Sequence, residues 1–136
     1  MSLGKRLFHR TNLKTKQFTG DNGGNAVVGI PENAEFNLAD EIFISTNTSV
    51  YIEIMCRKDP YQDFEAVDNE TKKDLPILPV KKLRERTVIR VLPGKNGYEA
   101  DIYNERNDQA IRILVGPENK DNLNLLLDMI KSAKFI

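Results

Sequence analysis

The sequence has 136 residues, enough for one domain with a proper core, and its 40% apolar and 29% charged residues are ordinary for a globular protein. Twenty Lys and Arg balance twenty Asp and Glu, which excludes binding of nucleic acid or a membrane surface through the net charge of the whole chain. One cysteine excludes an internal disulfide, and no apolar run approaches the ~18 residues that span a bilayer, so we expect a cytoplasmic protein.

The N-terminal residues 1–25 are polar and basic, and they end in the glycine-rich stretch GDNGGN. Glycine supplies positive φ and flexibility at low cost, so this stretch is typical of a turn or hinge. We predict a basic, flexible arm over residues 1–25 and a single α+β domain over residues 26–136.

Three strands are predicted in the first half of that domain, at 26–30, 41–45 and 49–57, with a hairpin turn at 46–48. The third strand alternates, so that one face carries the residues Val50, Ile52, Ile54 and Cys56. Residues 64–67 have the pattern of a short edge strand. They lie within a polar segment that we otherwise interpret as loop.

The second half begins with an extended connector at 76–79, because its two prolines fix φ and restrict their neighbours. A three-stranded meander follows at 87–92, 98–104 and 109–115, with turns at 93–97 and 105–108. In the last strand, the alternating residues Ile111, Ile113 and Val115 share one face.

The chain ends in a predicted amphipathic helix. Leu123, Leu126, Leu127 and Ile130 follow helical spacing, and further apolar residues widen the stripe. Acidic residues lie near the start of the helix and lysines near its end, which complements the helix dipole. The acidic residues are Glu118 and Asp121, the lysines Lys131 and Lys134, and the widening residues Leu125 and Met129.

These elements predict an α+β fold of six to seven mostly antiparallel strands, forming a curved sheet or small barrel covered by the C-terminal helix. The element order resembles that of a pleckstrin-homology-type barrel. No residue motif of that superfamily is present, so the resemblance is architectural and implies no function. Other antiparallel α+β folds remain open.

No catalytic, cofactor or metal site is predicted. His9 is the only histidine, and Cys56 lies on the apolar face of a predicted strand, where a thiol behaves as a small hydrophobic group. Zinc needs several Cys and His at close spacing. The turn at 93–97 lacks the spacing of a phosphate-binding loop.

Two basic clusters are candidate contacts for a phosphate or a nucleic acid. The functional interpretation is a groove with stacking tyrosines (Tyr51, Tyr61, Tyr98 or Tyr103), and the alternative is a solvated strand edge whose lysines prevent aggregation. Zero net charge favours the alternative. The candidate residues are Lys5, Arg6, Arg10, Lys14, Lys16, Lys81, Lys82, Arg84, Arg86 and Arg90.

Two short stretches carry further similarities. Residues 87–93 (TVIRVLP) resemble the strand that opens the core of T4-type phage single-stranded DNA-binding proteins, which implies a nucleic-acid partner and a phage origin. The zinc ligands and aromatic groove of that family are not visible, so no residue role is carried over. Residues 76–81 fit a polyproline-type ligand pattern, PxxPxK, but we favour a rigid connector.

The sequence therefore predicts a non-enzymatic interaction or assembly module without a cofactor, which binds a protein partner or itself. The alternative is a single-stranded nucleic-acid-binding protein that uses the basic arm and the basic strand. The two differ in salt dependence, because phosphate contacts weaken steeply as salt rises.

Overall fold

The computed structural model describes residues 12–59, 72–80 and 86–136. Within these ranges the chain forms nine strands, a short 3-10 helix at Pro93–Lys95 and a C-terminal helix at Lys120–Ser132. The strands are β1 (Leu13–Thr19), β2 (Asn25–Pro31), β3 (Asn37–Ala39), β4 (Ile42–Ser45), β5 (Tyr51–Lys58), β6 (Thr87–Val91), β7 (Tyr98–Asn104), β8 (Gln109–Gly116) and β9 (Lys134–Phe135).

The strands form two antiparallel sheets. The smaller has the order β1-β2-β9, and the larger has the order β3-β4-β5-β8-β7-β6. The predicted class, mostly antiparallel β with one C-terminal helix, is confirmed. The described residues contain nine strands rather than six or seven, and their sheets do not close into a barrel, because β3 and β6 lie at opposite edges of the larger sheet.

The core lies between the inner faces of the two sheets and the helix. In the larger sheet Ile54 lies opposite Ile113, and Cys56 lies opposite Ile111, so the alternation predicted for both strands is confirmed. The smaller sheet contributes every second residue of β2, and β2 packs against β5 and the helix. These inner residues of β2 are Ala26, Val28 and Ile30, all fully buried.

The C-terminal helix covers the core where β2, β7 and β8 meet. Asn119 caps its first turn, since the side-chain oxygen accepts a hydrogen bond from the Asn122 amide at 2.8 Å. The predicted stripe is confirmed as the buried face. Its buried members are Leu125, Leu126, Met129 and Ile130, while Leu123 and Leu127 are half-buried.

The prediction of a flexible arm over residues 1–25 is wrong for Leu13–Thr19, which form β1. The strand exists because its backbone pairs along its whole length with β2, a tertiary gain that the polar sequence does not reveal. Two other short strands, β3 and β9, were also not predicted. Residues 1–11, the candidate strand at 64–67 and the basic segment at 81–85 lie outside the described residues.

Candidate interaction edge

The β1–β2 hairpin turns through three residues. The Gly20 amide donates to the Gly24 carbonyl at 2.7 Å, and the Gly23 amide donates to the Gly20 carbonyl at 3.1 Å. Gly23 has φ +94°, which a glycine adopts without strain, as expected for the bulge residue that ends a three-residue hairpin loop. The turn therefore fixes which pair of residues begins the ladder of hydrogen bonds.

From that pair, the direction of every backbone group on β1 follows. Antiparallel ladders alternate between hydrogen-bonded and non-hydrogen-bonded pairs. Since Gly20 and Gly24 form a bonded pair, Lys14, Lys16 and Phe18 direct their backbone groups toward β2. The odd-numbered residues of β1 direct their amides and carbonyls away from β2. They are Leu13, Thr15, Gln17 and Thr19.

Hydrogen bonds on the far side of β2 support this assignment. The backbone amides and carbonyls of the odd-numbered residues of β2 should point away from β1, and hydrogen bonds of two such residues show that they do. The Asn25 carbonyl accepts from the Ile136 amide at 3.1 Å, and the Gly29 amide donates to the Ser132 hydroxyl at 2.7 Å. The outer backbone groups of β1 face an edge to which no described strand is paired.

Two lysines on this edge share a face with the core. Lys14 lies directly opposite Ile30, and Lys16 lies opposite Val28, and both of these β2 residues are fully buried. Both lysine side chains are nevertheless exposed, because β1 is the last strand of its sheet. Inward-facing charges of this kind limit uncontrolled pairing at a sheet edge.

An aromatic cluster continues that face. Phe18 is only 1% exposed and packs edge-on against Phe36 and Phe43, with ring centroids 5.2 and 5.1 Å apart. The Lys16 ammonium lies 5.8 Å from the Phe18 ring centre, and Leu38, opposite Phe43 in the larger sheet, is 53% exposed. The edge of β1 thus combines outward backbone groups that no described strand pairs with, two cations and an apolar end. We call this surface the β1 edge.

The two described arginines among the predicted phosphate contacts are ion-paired. Arg90 is only 8% exposed, and its guanidinium lies 3.0 Å from an Asp101 carboxylate oxygen. Arg86 pairs with Glu105 at 2.8 Å and lies over the Tyr103 ring. Both arginines contact the face of β7 that points away from the core. Their charge is already compensated, so they make poor phosphate contacts.

Asp101 belongs to a network on this outer face. Its second carboxylate oxygen accepts from Arg112 at 2.7 Å, and Arg112 also lies 3.5 Å from Glu99, which pairs with Lys72. These groups are substantially buried and bind one another across β6, β7 and β8. The network stabilises the sheet, because every carboxylate in it has a cation within hydrogen-bonding distance.

Some of the remaining candidate residues lie within the described part of the chain, and the others lie outside it. Of the ten predicted contacts, only Lys14 and Lys16 are described and without an ion pair. Among the tyrosines, Tyr98 is buried, and Tyr103 donates to Asp108 at 2.7 Å, which together with burial raises the pKa of its phenol to about 12. Six basic candidates lie outside the described residues, as does Tyr61. The six are Lys5, Arg6, Arg10, Lys81, Lys82 and Arg84.

Cys56 lies in the core, as the sequence predicts. Burial raises the pKa of its thiol to about 12, so the thiol is protonated at neutral pH. Among the described residues, no group of three or more His, Cys, Asp or Glu side chains is arranged to hold a metal ion. None of the described helices is long and apolar enough to cross a membrane.

No protein-family model matches the chain, and comparisons with curated proteins and with solved structures gave no significant match. The similarity of residues 87–93 to the phage single-stranded DNA-binding strand falls on β6, where Arg90 is buried and paired.

Proposed function

We propose that this chain is a non-enzymatic interaction module that captures an extended segment of a protein partner at the β1 edge. The partner would add a strand beside β1. The observation that carries this proposal is the row of outward amides and carbonyls along the seven residues of β1. We place the module in the cytoplasm, since a chain with one cysteine does not rely on a disulfide.

Strand addition suits this edge for physical reasons. Main-chain hydrogen bonds supply affinity in this mode, and alternate side chains supply specificity. No proline interrupts β1, and its outer residues Thr15 and Gln17 are small or flexible and exposed. The strand is anchored by Phe18 and by β2, so it is ordered before a partner arrives.

A different protein suits the edge better than a second copy does. Two β1 strands paired antiparallel about Thr15 would place Lys14 of each copy opposite Lys16 of the other, on one face. Pairing centred on Lys16 would place the two Lys16 side chains opposite each other. Like charges directly opposite in a sheet are destabilising. We therefore favour a protein partner over self-association.

The test blocks the outward backbone groups without breaking β1. Thr15→Pro removes an amide that points away from β2, so the β1–β2 ladder keeps its hydrogen bonds. Thr15→Val is the matched control, because it retains the amide. We expect peptides selected from a random display library on the wild-type chain to bind Thr15→Val equally, and Thr15→Pro at least about tenfold more weakly, by fluorescence anisotropy.

Equal binding of the selected peptides by Thr15→Pro and Thr15→Val would overturn strand addition. Circular dichroism of both variants checks that each retains the fold. Since the changed residue is exposed, we expect both unfolding midpoints to lie close to that of the wild type.

Single-stranded nucleic acid is the second candidate partner, because Lys14 and Lys16 are exposed and have no described carboxylate partner. Phosphate contacts would come from these side chains rather than from the backbone. Binding of a labelled oligonucleotide would then fall steeply with salt and would be unchanged in Thr15→Pro. Strand addition predicts the opposite response to that variant, so one substitution distinguishes the two functions.

A further inference from the structure

The side chains of β1 specify what a partner strand should carry, given the strand addition proposed above. In a sheet, residues directly opposite each other on neighbouring strands point to the same face. A strand added beside β1 would therefore place alternate side chains next to Lys14, Lys16 and Phe18, on the face that β1 shares with the buried residues of β2.

Partner residues at those alternate positions would also lie close to the β1 residues opposite them. Lys14 and Lys16 use their backbone groups to bind β2, so in an antiparallel partner strand a residue opposite either lysine would sit in a non-hydrogen-bonded pair. Such pairs have Cα atoms only about 4.5 Å apart, with side chains closer than in hydrogen-bonded pairs. The lysine ammonium groups thus lie where they would contact a partner's carboxylates.

The two lysines are available for that contact. Within the described residues neither ammonium group has a carboxylate partner, in contrast to Arg86 and Arg90. The cation–π contact of Lys16 with Phe18 holds one ammonium near the edge. A partner strand with neutral or basic residues here would cover two cations without compensation, which is unfavourable.

The third position is apolar. A side chain opposite Phe18 would approach the cluster of Phe18, Phe36 and Phe43, beside the exposed Leu38. An apolar side chain buried there would also cover part of Leu38. Removal of this apolar surface from water would favour binding.

We infer that the β1 edge selects an acidic, extended protein segment with an alternating pattern. Two carboxylates two residues apart face Lys14 and Lys16, and an apolar side chain two residues further faces Phe18. The segment reads apolar-x-acidic-x-acidic from its N-terminus if it pairs antiparallel, and acidic-x-acidic-x-apolar if it pairs parallel.

The test uses two labelled peptides that differ only in charge. One carries valine, glutamate, glutamate and valine at alternate positions, with threonine between them, which fits both orientations. In the other both glutamates are glutamine. We expect the wild-type chain to bind the glutamate peptide about fivefold more tightly at low salt, by anisotropy. The advantage should shrink at high salt, because exposed charges are screened.

A charge-reversed variant sharpens the test. Lys14→Glu together with Lys16→Glu should lose the preference for the glutamate peptide and prefer a third peptide in which both glutamates are lysine. Lys131→Glu with Lys134→Glu is the matched control, since it changes the net charge equally at exposed residues of the helix and β9. The control should keep the wild-type preference.

The outcomes separate the two proposals. Equal binding of the glutamate and glutamine peptides, lost in Thr15→Pro, would overturn the acidic specificity and leave strand addition standing. A preference for glutamate that persists in Thr15→Pro would overturn strand addition and assign the peptide to a charge contact alone. No binding of either peptide at millimolar concentration would overturn both.

Discussion

The edge strands β6 of the larger sheet and β1 of the smaller sheet differ in character. At β6 the chain covers its own edge, because the Leu78 amide donates to the Ile89 carbonyl and the Val91 amide donates to the Pro76 carbonyl, both at 2.9 Å. At β1 no described segment takes that place, and two lysines lie on the face shared with the core. A sheet edge can thus be covered by backbone pairing, or it can remain accessible with charged side chains that limit uncontrolled strand pairing.

The difference shows where a partner can still bind. On the β6 edge the Ile89 carbonyl and the Val91 amide form hydrogen bonds with the connector, and Arg90 is paired with Asp101. The β1 edge retains both kinds of group. The proposed partner site is therefore on the less hydrophobic of the two strands, because the connector already pairs with the apolar strand.

Amide exchange should give the largest contrast. In β1 the amides of Thr15 and Gln17 point outward, whereas those of Lys16 and Phe18 donate to β2. We expect exchange of the first pair to be about a thousandfold faster, since protected amides exchange only when the structure opens. Residue-resolved hydrogen exchange by NMR measures this. Slow exchange at Thr15 and Gln17 would show that the β1 edge is covered in the full chain.

Removal of the Asp101 charge should produce the largest loss of stability. Asp101→Asn leaves Arg90 and Arg112, 3.0 and 2.7 Å from its carboxylate, without their shared buried counter-ion. We expect the free energy of unfolding in urea to fall by about 3 kcal/mol.

The exposed pair on the same face provides the control. Glu105→Gln breaks the solvent-exposed ion pair with Arg86 and should cost less than about 1 kcal/mol. Similar losses in the two variants would mean that burial does not set the strength of these pairs.

One of the two hydrogen bonds between the connector and β6 can be removed by a single substitution. Leu78→Pro deletes the amide that donates to Ile89, and we expect a loss of about 1–2 kcal/mol in urea denaturation. Ile77→Pro is a control for the proline itself, because the pairing of Ile77 with Arg90 directs the Ile77 amide away from β6, although Leu78 also packs against the core and Ile77 does not. An equal loss in Ile77→Pro would contradict this hydrogen-bonding pattern.

Alkaline pH should produce the smallest effect. The hydrogen bond to Asp108 and burial raise the pKa of Tyr103 from 10.0 to about 12, so folding favours the neutral phenol. This stabilisation is fully present below pH 10 and is lost as the pH rises toward 12.

Tyr103→Phe should therefore flatten the fall in unfolding free energy between pH 10 and 12, at a cost of about 1 kcal/mol at pH 8. Part of the fall should persist, because burial and the hydrogen bond to Glu53 also raise the pKa of Tyr51 to about 12. An unchanged alkaline profile would contradict the role assigned to Tyr103.

The alternating and helical patterns predicted most of the fold. In β5, β8 and the C-terminal helix, apolar residues recur at the period of the element, so their buried faces were readable from the sequence. The sequence did not predict β1, because only Phe18 of its seven residues is buried and the strand depends on pairing with β2.

The candidate site was predictable only in part. The sequence marked Lys14 and Lys16 as basic, together with Arg86 and Arg90, but charge in a sequence does not reveal a counter-ion. The partners Asp101 and Glu105 follow Arg90 and Arg86 by 11 and 19 residues and approach them only through the pairing of β6 with β7 and the turn after β7.

By itself, the sequence determined the strands with apolar faces, the amphipathic helix and the burial of Cys56, because local periodicity sets which side chains must leave water. Tertiary structure alone decided which of the described basic residues form ion pairs and which sheet edge is covered by a described segment. Both depend on contacts between distant segments, such as the connector that closes β6 and the glycine turn that sets the register of β1.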